Sequence, residues 1–526
     1  MRCLLLLLAA TLAAADRPNI LFIVGDDLGY ADVGFHGCKD IPTPHLDALA
    51  AAGVRCTNGY VTGPYCSPTR AGLLTGRHQV RFGHEFNSVA NRSGLRLDQT
   101  TIADRLRSLG YATACIGKWH LGWEWPISKE QKSLLQPPKK ANKDDASKPK
   151  RVPDVATEKQ VEAWSGFFSK PIAAGPTTRG FNTYFGTDVP NWPPYCFIEN
   201  DHTVGVPSEF LPIADIGNNL ASIQGPALKD WKLDNILPAL AQHAEAFIAD
   251  AAKHPEPFLL YLALTAPHTP LSPIDGWKNK SGLNTYADFV MQTDATVGRL
   301  LDVLEKSGAA GNTLVIFTSD NGCAPYIGAD VLEQKGHYPS GSLRGYKSDA
   351  WEGGHRVPFI VRWPGIVKPG SLCNQLVEQA DIFSTLAEIL GRKLPDDAGE
   401  DSFSMLPLFK GKEKPTRGNA VSTSSNGLPA VRQGKWKYIP GPGSGGWGKG
   451  GDQSQQVQLY NLEKDLSETN NLAASMPKKV EEMKQLLEKL IVEGRSTKGL
   501  TQKNDVEVVR YPKQSTTSRS SVHPEK

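Results

Sequence analysis

Four apolar, β-branched stretches of this chain each end abruptly in polar residues, and that pattern constrains the fold most. Asn19–Val24 is followed by Gly25-Asp26-Asp27, and Ala112–Ile116 by Gly117-Lys118-Trp119-His120. Phe258–Leu264 runs into Ala266-Pro267-His268, and Leu314–Thr318 ends at Ser319-Asp320-Asn321. Short continuous apolar runs of this kind fit strands buried on both faces. Between them, Thr101–Leu109 closed by Gly110, Leu233–Ala252, and Thr285–Lys306 closed by Ser307-Gly308 carry helical spacing. The alternation predicts an α/β fold, with a mostly parallel sheet and helices on both faces. Ligands of such sheets sit outside the carboxyl ends of the strands. One acidic pair there would be a turn or a cap, whereas four polar deliveries with complementary chemistry mark a site.

The rest of the 526 residues is organised around this unit. Residues 1–15 read as a cleaved export signal: Arg2, a short apolar run, then Ala13-Ala14-Ala15 before Asp16. That run is too short to span a bilayer, and no later segment is long and apolar enough, so no transmembrane segment is expected. The protein is therefore expected to be exported, to the periplasm or the medium. A formal charge of +3 gives no footprint for nucleic acid. Residues 16–395 read as the catalytic domain, interrupted at 126–175 by a Lys- and Pro-rich stretch without apolar period, expected to be an exposed insertion. Residues 396–500 read as a C-terminal subdomain: a hairpin over Ala430–Ile439, a strand over Gln456–Leu462 and an amphipathic helix over Met476–Val492. Residues 501–526 read as a disordered tail. Gly443–Lys449 imitates the start of a phosphate-binding loop, but Gly450 replaces the required Ser or Thr and no helix follows, so it reads as a flexible hairpin loop.

Asp26, Asp27, Asp320 and Asn321 offer only oxygen donors, which suit a hard cation, and a mixed carboxylate and amide set suits calcium better than magnesium. No closely spaced His/Cys pattern such as HExxH points to zinc. Arg70, Lys118, His120, His268 and Lys347 would surround that cation with positive charge and hold an anionic ester. After export the chain keeps Cys38, Cys56, Cys66, Cys115, Cys196, Cys323 and Cys373, an odd number, which flags one thiol with another fate. Cys66 is the candidate, and the pairing of the other six is not legible.

Cys66-Ser67-Pro68-Thr69-Arg70, followed by Leu74-Thr75-Gly76-Arg77, resembles the signature of the type I, formylglycine-dependent sulfatases of the alkaline phosphatase superfamily. The resemblance extends to Pro18–Asp27, Gly117-Lys118-Trp119-His120-Leu121-Gly122, Ser319-Asp320-Asn321-Gly322, Leu343–Lys347 and Glu352–Pro358. It implies a large mixed, mostly parallel sheet sandwiched by helices, with a smaller C-terminal antiparallel sheet plus helix. It implies one Ca²⁺ per chain held by Asp26, Asp27, Asp320 and Asn321, which also meets residue 66, and 3-oxoalanine (formylglycine) made from Cys66 by a formylglycine-generating enzyme. In that scheme Arg70 stabilises the hydrated aldehyde, and Lys118 and Lys347 grip sulfate oxygens. His268 protonates the leaving oxygen. His120 helps remove the proton whose loss expels sulfate and regenerates the aldehyde.

The substrate expected is a sulfated carbohydrate, a galactan such as a carrageenan rather than a glycosaminoglycan. His84, Glu85 and Asn87 are candidates for hydrogen bonds to the sugar, with Trp192 and Tyr195 for stacking. His84 and Asn87 serve equally well as loop caps. Two alternatives stay open: a phosphodiester or phosphonate monoester hydrolase on the same fold, and a non-catalytic glycan-binding relative with Cys66 unconverted.

Overall fold

The computed structural model describes residues 17–87, 94–128, 130–135, 156–216, 222–448 and 454–510. The export-signal reading of 1–15 and the lysine-rich part of the insertion, 136–155, lie outside them. Ten strands form the main sheet: β1 (Asn19–Gly25), β2 (Val54–Tyr60), β3 (Ala112–Lys118), β4 (Thr183–Thr187), β5 (Ile198–Glu199), β6 (His202–Thr203), β7 (Phe258–Ala263), β8 (Thr313–Ser319), β9 (Phe359–Arg362) and β10 (Ser371–Glu378). Their order is β10-β2-β9-β8-β1-β7-β3-β4-β5-β6. β8, β1, β7, β3 and β4 run parallel at the centre, whereas β9 and β5 are antiparallel to their neighbours. The sheet is thus mixed and mostly parallel, as expected.

The four stretches read as strands in the sequence are the four adjacent strands β8, β1, β7 and β3. Their register aligns the exits: Gly25 lies beside Ser319, Val24 beside Ala263, and Gly117 beside Ala263. The residues after each strand therefore emerge on one edge. Side chains of β1 alternate between two cores. Ile20, Phe22 and Val24 pack on one side of the sheet with Ala71, Leu73, Leu74 and Leu106. Leu21 and Ile23 pack on the other with Leu240, Ile248, Val297 and Leu300. Burial on both faces is why these strands read as unbroken apolar runs. At Gly117 any Cβ would sit 1.8 Å from the Ala263 carbonyl oxygen, so the close approach of β3 to β7 requires glycine.

Helix α1 (Cys66–Thr75) carries the signature motif and is buried along its whole length. It begins at Cys66 itself. The proline sits in the first turn, where its missing N–H costs nothing. One correction concerns 126–175. Helix α2 (Glu158–Phe168) lies inside that stretch, with a capping box at Thr157 and with Trp164, Phe167 and Phe168 buried in the core. Its apolar face was hidden by the polar composition around it. Helices α3 (Ile236–Ala251) and α4 (Thr285–Lys306) cover the opposite face of the sheet.

The C-terminal subdomain is an antiparallel sheet of β11 (Ala420–Thr423), β12 (Pro429–Gln433), β13 (Trp436–Ile439) and β14 (Gln458–Asn461), in that order. Helix α5 (Pro477–Val492) packs Met483, Leu487, Leu490 and Ile491 against Val431, Tyr438 and Leu459. The tail is a second correction, because residues 501–510 fold back. Asp505 accepts from Arg77 at 2.9 Å, Asn504 accepts from Arg81 at 3.0 Å, and Val508 is buried beside α5. Residues 511–526 lie outside the described part.

Buried charges fasten the subdomain to the main sheet. Lys437 Nζ on β13 lies 3.0 Å from Glu352 and 2.9 Å from Glu468, all three buried, and Glu352 also accepts from Tyr60 on β2. Burial pushes Glu468 up to about 7 even with Lys437 beside it, whereas Lys437, Arg432 and Arg356 overcome burial and hold Glu352 at about 2. Removing the shared lysine takes the cation from buried Glu468 and leaves Glu352 to Arg356 and Arg432. Lys437→Met is expected to lower the free energy of unfolding by roughly 3–5 kcal/mol in a urea titration. A change under about 1 kcal/mol would show that the pair does not hold the subdomain.

Candidate active site

The loops leaving β1, β3, β7 and β8 meet the start of α1 in a buried cluster. Asp26, Asp27, Cys66, Arg70, Lys118, His120, His268, Asp320, Asn321 and Lys347 all lie in it, each at most 5% exposed. Cys66 Sγ is 3.4 Å from Asp26 Oδ1 and 3.4 Å from Lys347 Nζ. Lys118 Nζ donates to Asp26 Oδ2 at 2.7 Å, and Lys347 Nζ to Asp27 Oδ1 at 2.5 Å. Arg70 places Nε and one Nη 3.0 and 2.7 Å from Asp320 Oδ2, and its other Nη donates to the Lys118 carbonyl at 3.2 Å. Asp27 adopts a positive φ of 63°, and its N–H donates to Asp320 Oδ1 at 3.2 Å.

Three carboxylates face three cationic side chains, so this set is close to neutral. Burial disfavours charge, and pairing of opposite charges opposes it. For Asp26, burial is outweighed by Lys118, His268, Arg70 and Lys347, which hold it well below the usual range. Asp320 is pushed up to about 6 by burial and by Asp26, against Arg70. Burial and the nearby Asp320 push the Cys66 thiol up, so it keeps its proton.

Asp27 Oδ2 and Asn321 Oδ1 are buried with no hydrogen-bond partner among the described residues. Two hard oxygen acceptors left open beside Asp26 are what a hard cation would complete. Asp26, Asp27, Cys66 and His268 each bring a ligand atom to within 4.8 Å of the others. Asp320 stands slightly apart, engaged by Arg70. The residues present thus fit a divalent cation held chiefly by oxygen.

The histidines face this cluster differently. His268 donates from Nδ1 to the Thr269 carbonyl, which leaves Nε2 facing Asp27 Oδ2 at 3.6 Å. Burial lowers its pKa to about 4, with Asp26 and Asp27 opposing. Both ring nitrogens of His120 are buried without a hydrogen-bond partner among the described residues, and Trp192 stands edge-on to its ring at 5.5 Å.

The expected sugar contacts divide. Trp192 and Glu85 are both half-buried. Tyr195 is buried, with its hydroxyl 2.8 Å from the Asn191 carbonyl and 2.5 Å from that of Ile223, so it has no free face for a sugar. His84 Nε2 is 2.8 Å from Ser67 Oγ, and Asn87 Oδ1 accepts from the Ser67 N–H at 3.4 Å. Both brace the first turn of α1 in the capping role. Their closeness in sequence to Cys66, which suggested a sugar contact, is used up by the first turn of the helix.

Other residues were missed. Ser319 Oγ accepts from the Leu28 N–H at 3.0 Å and donates to the Asn321 carbonyl at 2.9 Å, binding the loop of Asp26 and Asp27 to that of Asp320 and Asn321. Trp447 lies in the glycine-rich loop whose sequence reads as a flexible hairpin. It is 42% exposed and stacks at 6.0 Å on Tyr65, the residue before Cys66. The loop is held by Trp447 N–H to Ser348 Oγ and Gly448 N–H to Asp349 Oδ1, both 2.8 Å. Only contact with the Lys347 loop gives it meaning, and no local motif shows that.

Comparison with known proteins adds to this geometry. Residues 18–392 match the family model described as Sulfatase. The N-acetylgalactosamine-6-O-sulfatase of Bacteroides thetaiotaomicron is 35% identical over 496 residues, covering 90% of this chain and 93% of the relative. Human arylsulfatase A is 32% identical over 521 residues, covering 92% and 90%. A solved Bacteroides thetaiotaomicron structure, from work on the metabolism of multiple glycosaminoglycans, superposes with a TM-score of 0.74 at 31% identity, covering 90% of this chain and 99% of that one. The structure of Ps i-CgsB in complex with k-i-k-neocarrahexaose gives 0.66 at 29% identity, covering 92% and 95%.

The bracing of α1 is testable through protons. Burial lowers the His84 pKa to about 4. Unfolding returns it to the ordinary 6.5, so the unfolded chain binds the extra proton and stability is lost as pH falls through that window. The wild type is expected to lose roughly 3 kcal/mol more than His84→Gln between about pH 7 and pH 4 in urea titrations. Equal losses would contradict the role.

Proposed function

The chain belongs to the sulfatase family and is a sulfuric ester hydrolase, and we propose that it acts on a sulfated carbohydrate outside the cytoplasm. The observation that carries this reading is the buried convergence of oxygen donors and cationic side chains around Cys66. Calcium would be held by Asp26, Asp27, Asp320 and Asn321, with residue 66 beside it, and when bound it supplies positive charge to sulfate oxygens. Formylglycine, made from Cys66 by a formylglycine-generating enzyme, supplies as its hydrate a hydroxyl to attack sulfur and a second to release it. The protonated, buried thiol of the encoded cysteine is a poor nucleophile in this setting, which supports such a conversion.

The chain's own residues do the rest. Arg70 is fixed by Asp320 in the second turn of α1 and would stabilise the hydrate at residue 66. Lys118 and Lys347, now held by Asp26 and Asp27, are the donors for sulfate oxygens once an anion competes for them. His268 is the residue we assign to protonate the leaving sugar oxygen, because an alkoxide leaves poorly; with Nδ1 committed to the Thr269 carbonyl, Nε2 carries that proton only in the imidazolium, which a sulfate ester bound beside it would favour. His120, with both nitrogens unengaged among the described residues, would take the proton whose loss releases sulfate.

The relatives named for N-acetylgalactosamine-6-sulfate and solved with a carrageenan oligosaccharide share the galacto configuration. We therefore take the substrate to be a sulfated galacto-configured sugar, in a galactan or as N-acetylgalactosamine. Trp192, edge-on to His120, and Trp447, stacked on Tyr65, are the aromatic side chains we assign to contact the sugar ring.

The test is sulfate release from galactan, fucan and glycosaminoglycan oligosaccharides and an aryl sulfate, with phosphate mono- and diesters as controls. The protein is co-produced with a formylglycine-generating enzyme. Release from a galacto-configured sugar, abolished in Cys66→Ala and by calcium chelation, is expected. Preferential turnover of a phosphoester would overturn the reading. Trp447→Ala is expected to raise KM for the sugar about tenfold, in line with loss of an aromatic contact, while sparing kcat on the aryl sulfate. An unchanged KM would remove Trp447 from the sugar site.

A further inference from the structure

We propose that Cys38, Asp40 and His337 form a second metal site, distinct from the cluster at the strand ends, for a borderline divalent cation such as zinc. His337 Nδ1 lies 3.9 Å from Cys38 Sγ and 3.4 Å from Asp40 Oδ2. The three ligand atoms fall within 4.8 Å of one another. Tetrahedral zinc with bonds of about 2.0–2.3 Å separates its ligand atoms by roughly 3.3–3.8 Å, so the spacing needs little adjustment. Thiolate, imidazole and carboxylate form a zinc-type donor set, unlike the oxygen set at Asp26 and Asp27.

A second observation comes from the other side of the imidazole. His337 Nε2 is 2.8 Å from Asp32 Oδ1, and Asp32 is completely buried. Its other oxygen accepts from the Gly29 N–H at 2.9 Å and from the Tyr286 hydroxyl at 2.5 Å. A buried carboxylate that fixes one ring nitrogen and turns the other toward a cysteine is the usual support of a metal-bound histidine. The Ile41 N–H points at Cys38 Sγ from 3.4 Å, as suits a thiolate. The two loops are already joined by Ala31 N–H to the Pro339 carbonyl at 2.9 Å. Cys38 is half-buried and Asp40 exposed, so a fourth position is open to water. On binding, the ion replaces the thiol proton and any proton on Nδ1, both lost to solvent, with no change of oxidation state.

The site has a structural consequence. The Tyr286 hydroxyl also lies 3.1 Å from the Asp27 carbonyl oxygen. A bound ion would thus brace, through His337, Asp32 and Tyr286, the loop that carries Asp26 and Asp27. The residues named here as ligands and supports belong to none of the groups assigned to catalysis, so failure of this site leaves the proposed function standing.

The test is a cobalt(II) titration of full-length, tag-free protein in a Cys66→Ala background saturated with calcium. A thiolate-to-cobalt charge-transfer band with tetrahedral visible bands, complete at one equivalent and bleached by zinc, is expected. Cys38→Ser should abolish it. Asp32→Asn should weaken binding about 10- to 100-fold. Asp40→Asn, an exposed change that spares the core, should also weaken it if Cys38→Ser fails to fold. Absence of the band in the parent protein, or its survival in Cys38→Ser, would overturn the site and leave His337 as a bridge between Asp32 and Asp40 only.

Discussion

The structure depends on keeping charge buried at the exits of four adjacent parallel strands. Asp26, Asp27 and Asp320 are buried with Lys118, Lys347 and Arg70 beside them, and for Asp26 burial is outweighed by Lys118, His268, Arg70 and Lys347. The sheet order makes this possible. β8, β1, β7 and β3 share one direction and one register, so their polar exits converge without any long-range adjustment. A site of this kind is costly in stability, and the cost is met by apolar cores on both faces of the sheet.

Preorganisation comes from the same arrangement. Asp320 holds Arg70, Ser319 ties the Asp27-Leu28 loop to Asn321, and Gln379 donates to the Ser319 carbonyl at 2.5 Å. Each of these groups is fixed by a partner that is itself buried. Charges held in place by buried partners suit transition-state stabilisation. The C-terminal subdomain belongs to this design. It places Trp447 over Tyr65, and Lys437 binds Glu352 just beyond the loop of Lys347.

Most of the central fold was legible because the strands are buried on both faces and therefore spell continuous apolar runs. The chemistry of the exits was legible because Asp26-Asp27, Lys118, His268 and Asp320-Asn321 lie directly at the ends of those runs. The features that escaped depend on distance in sequence. Tyr195 looks like a loop aromatic until its hydroxyl is seen turned inward between two carbonyls. His84 and Asn87 serve Ser67, and that role is visible only once α1 begins at Cys66. Helix α2 hides inside a polar stretch, and residues 501–510 pack only because Arg77 and Arg81 wait for them far earlier in the chain.

On the reading proposed above, this buried set serves an aldehyde at position 66 rather than the encoded thiol. The mass of the residue-66 peptide across preparations of graded conversion, set against sulfate release from the same samples, decides between the two. Release is expected to be proportional to the aldehyde fraction and to extrapolate to zero for the unconverted protein. Undiminished turnover by protein whose peptide carries only cysteine would contradict it.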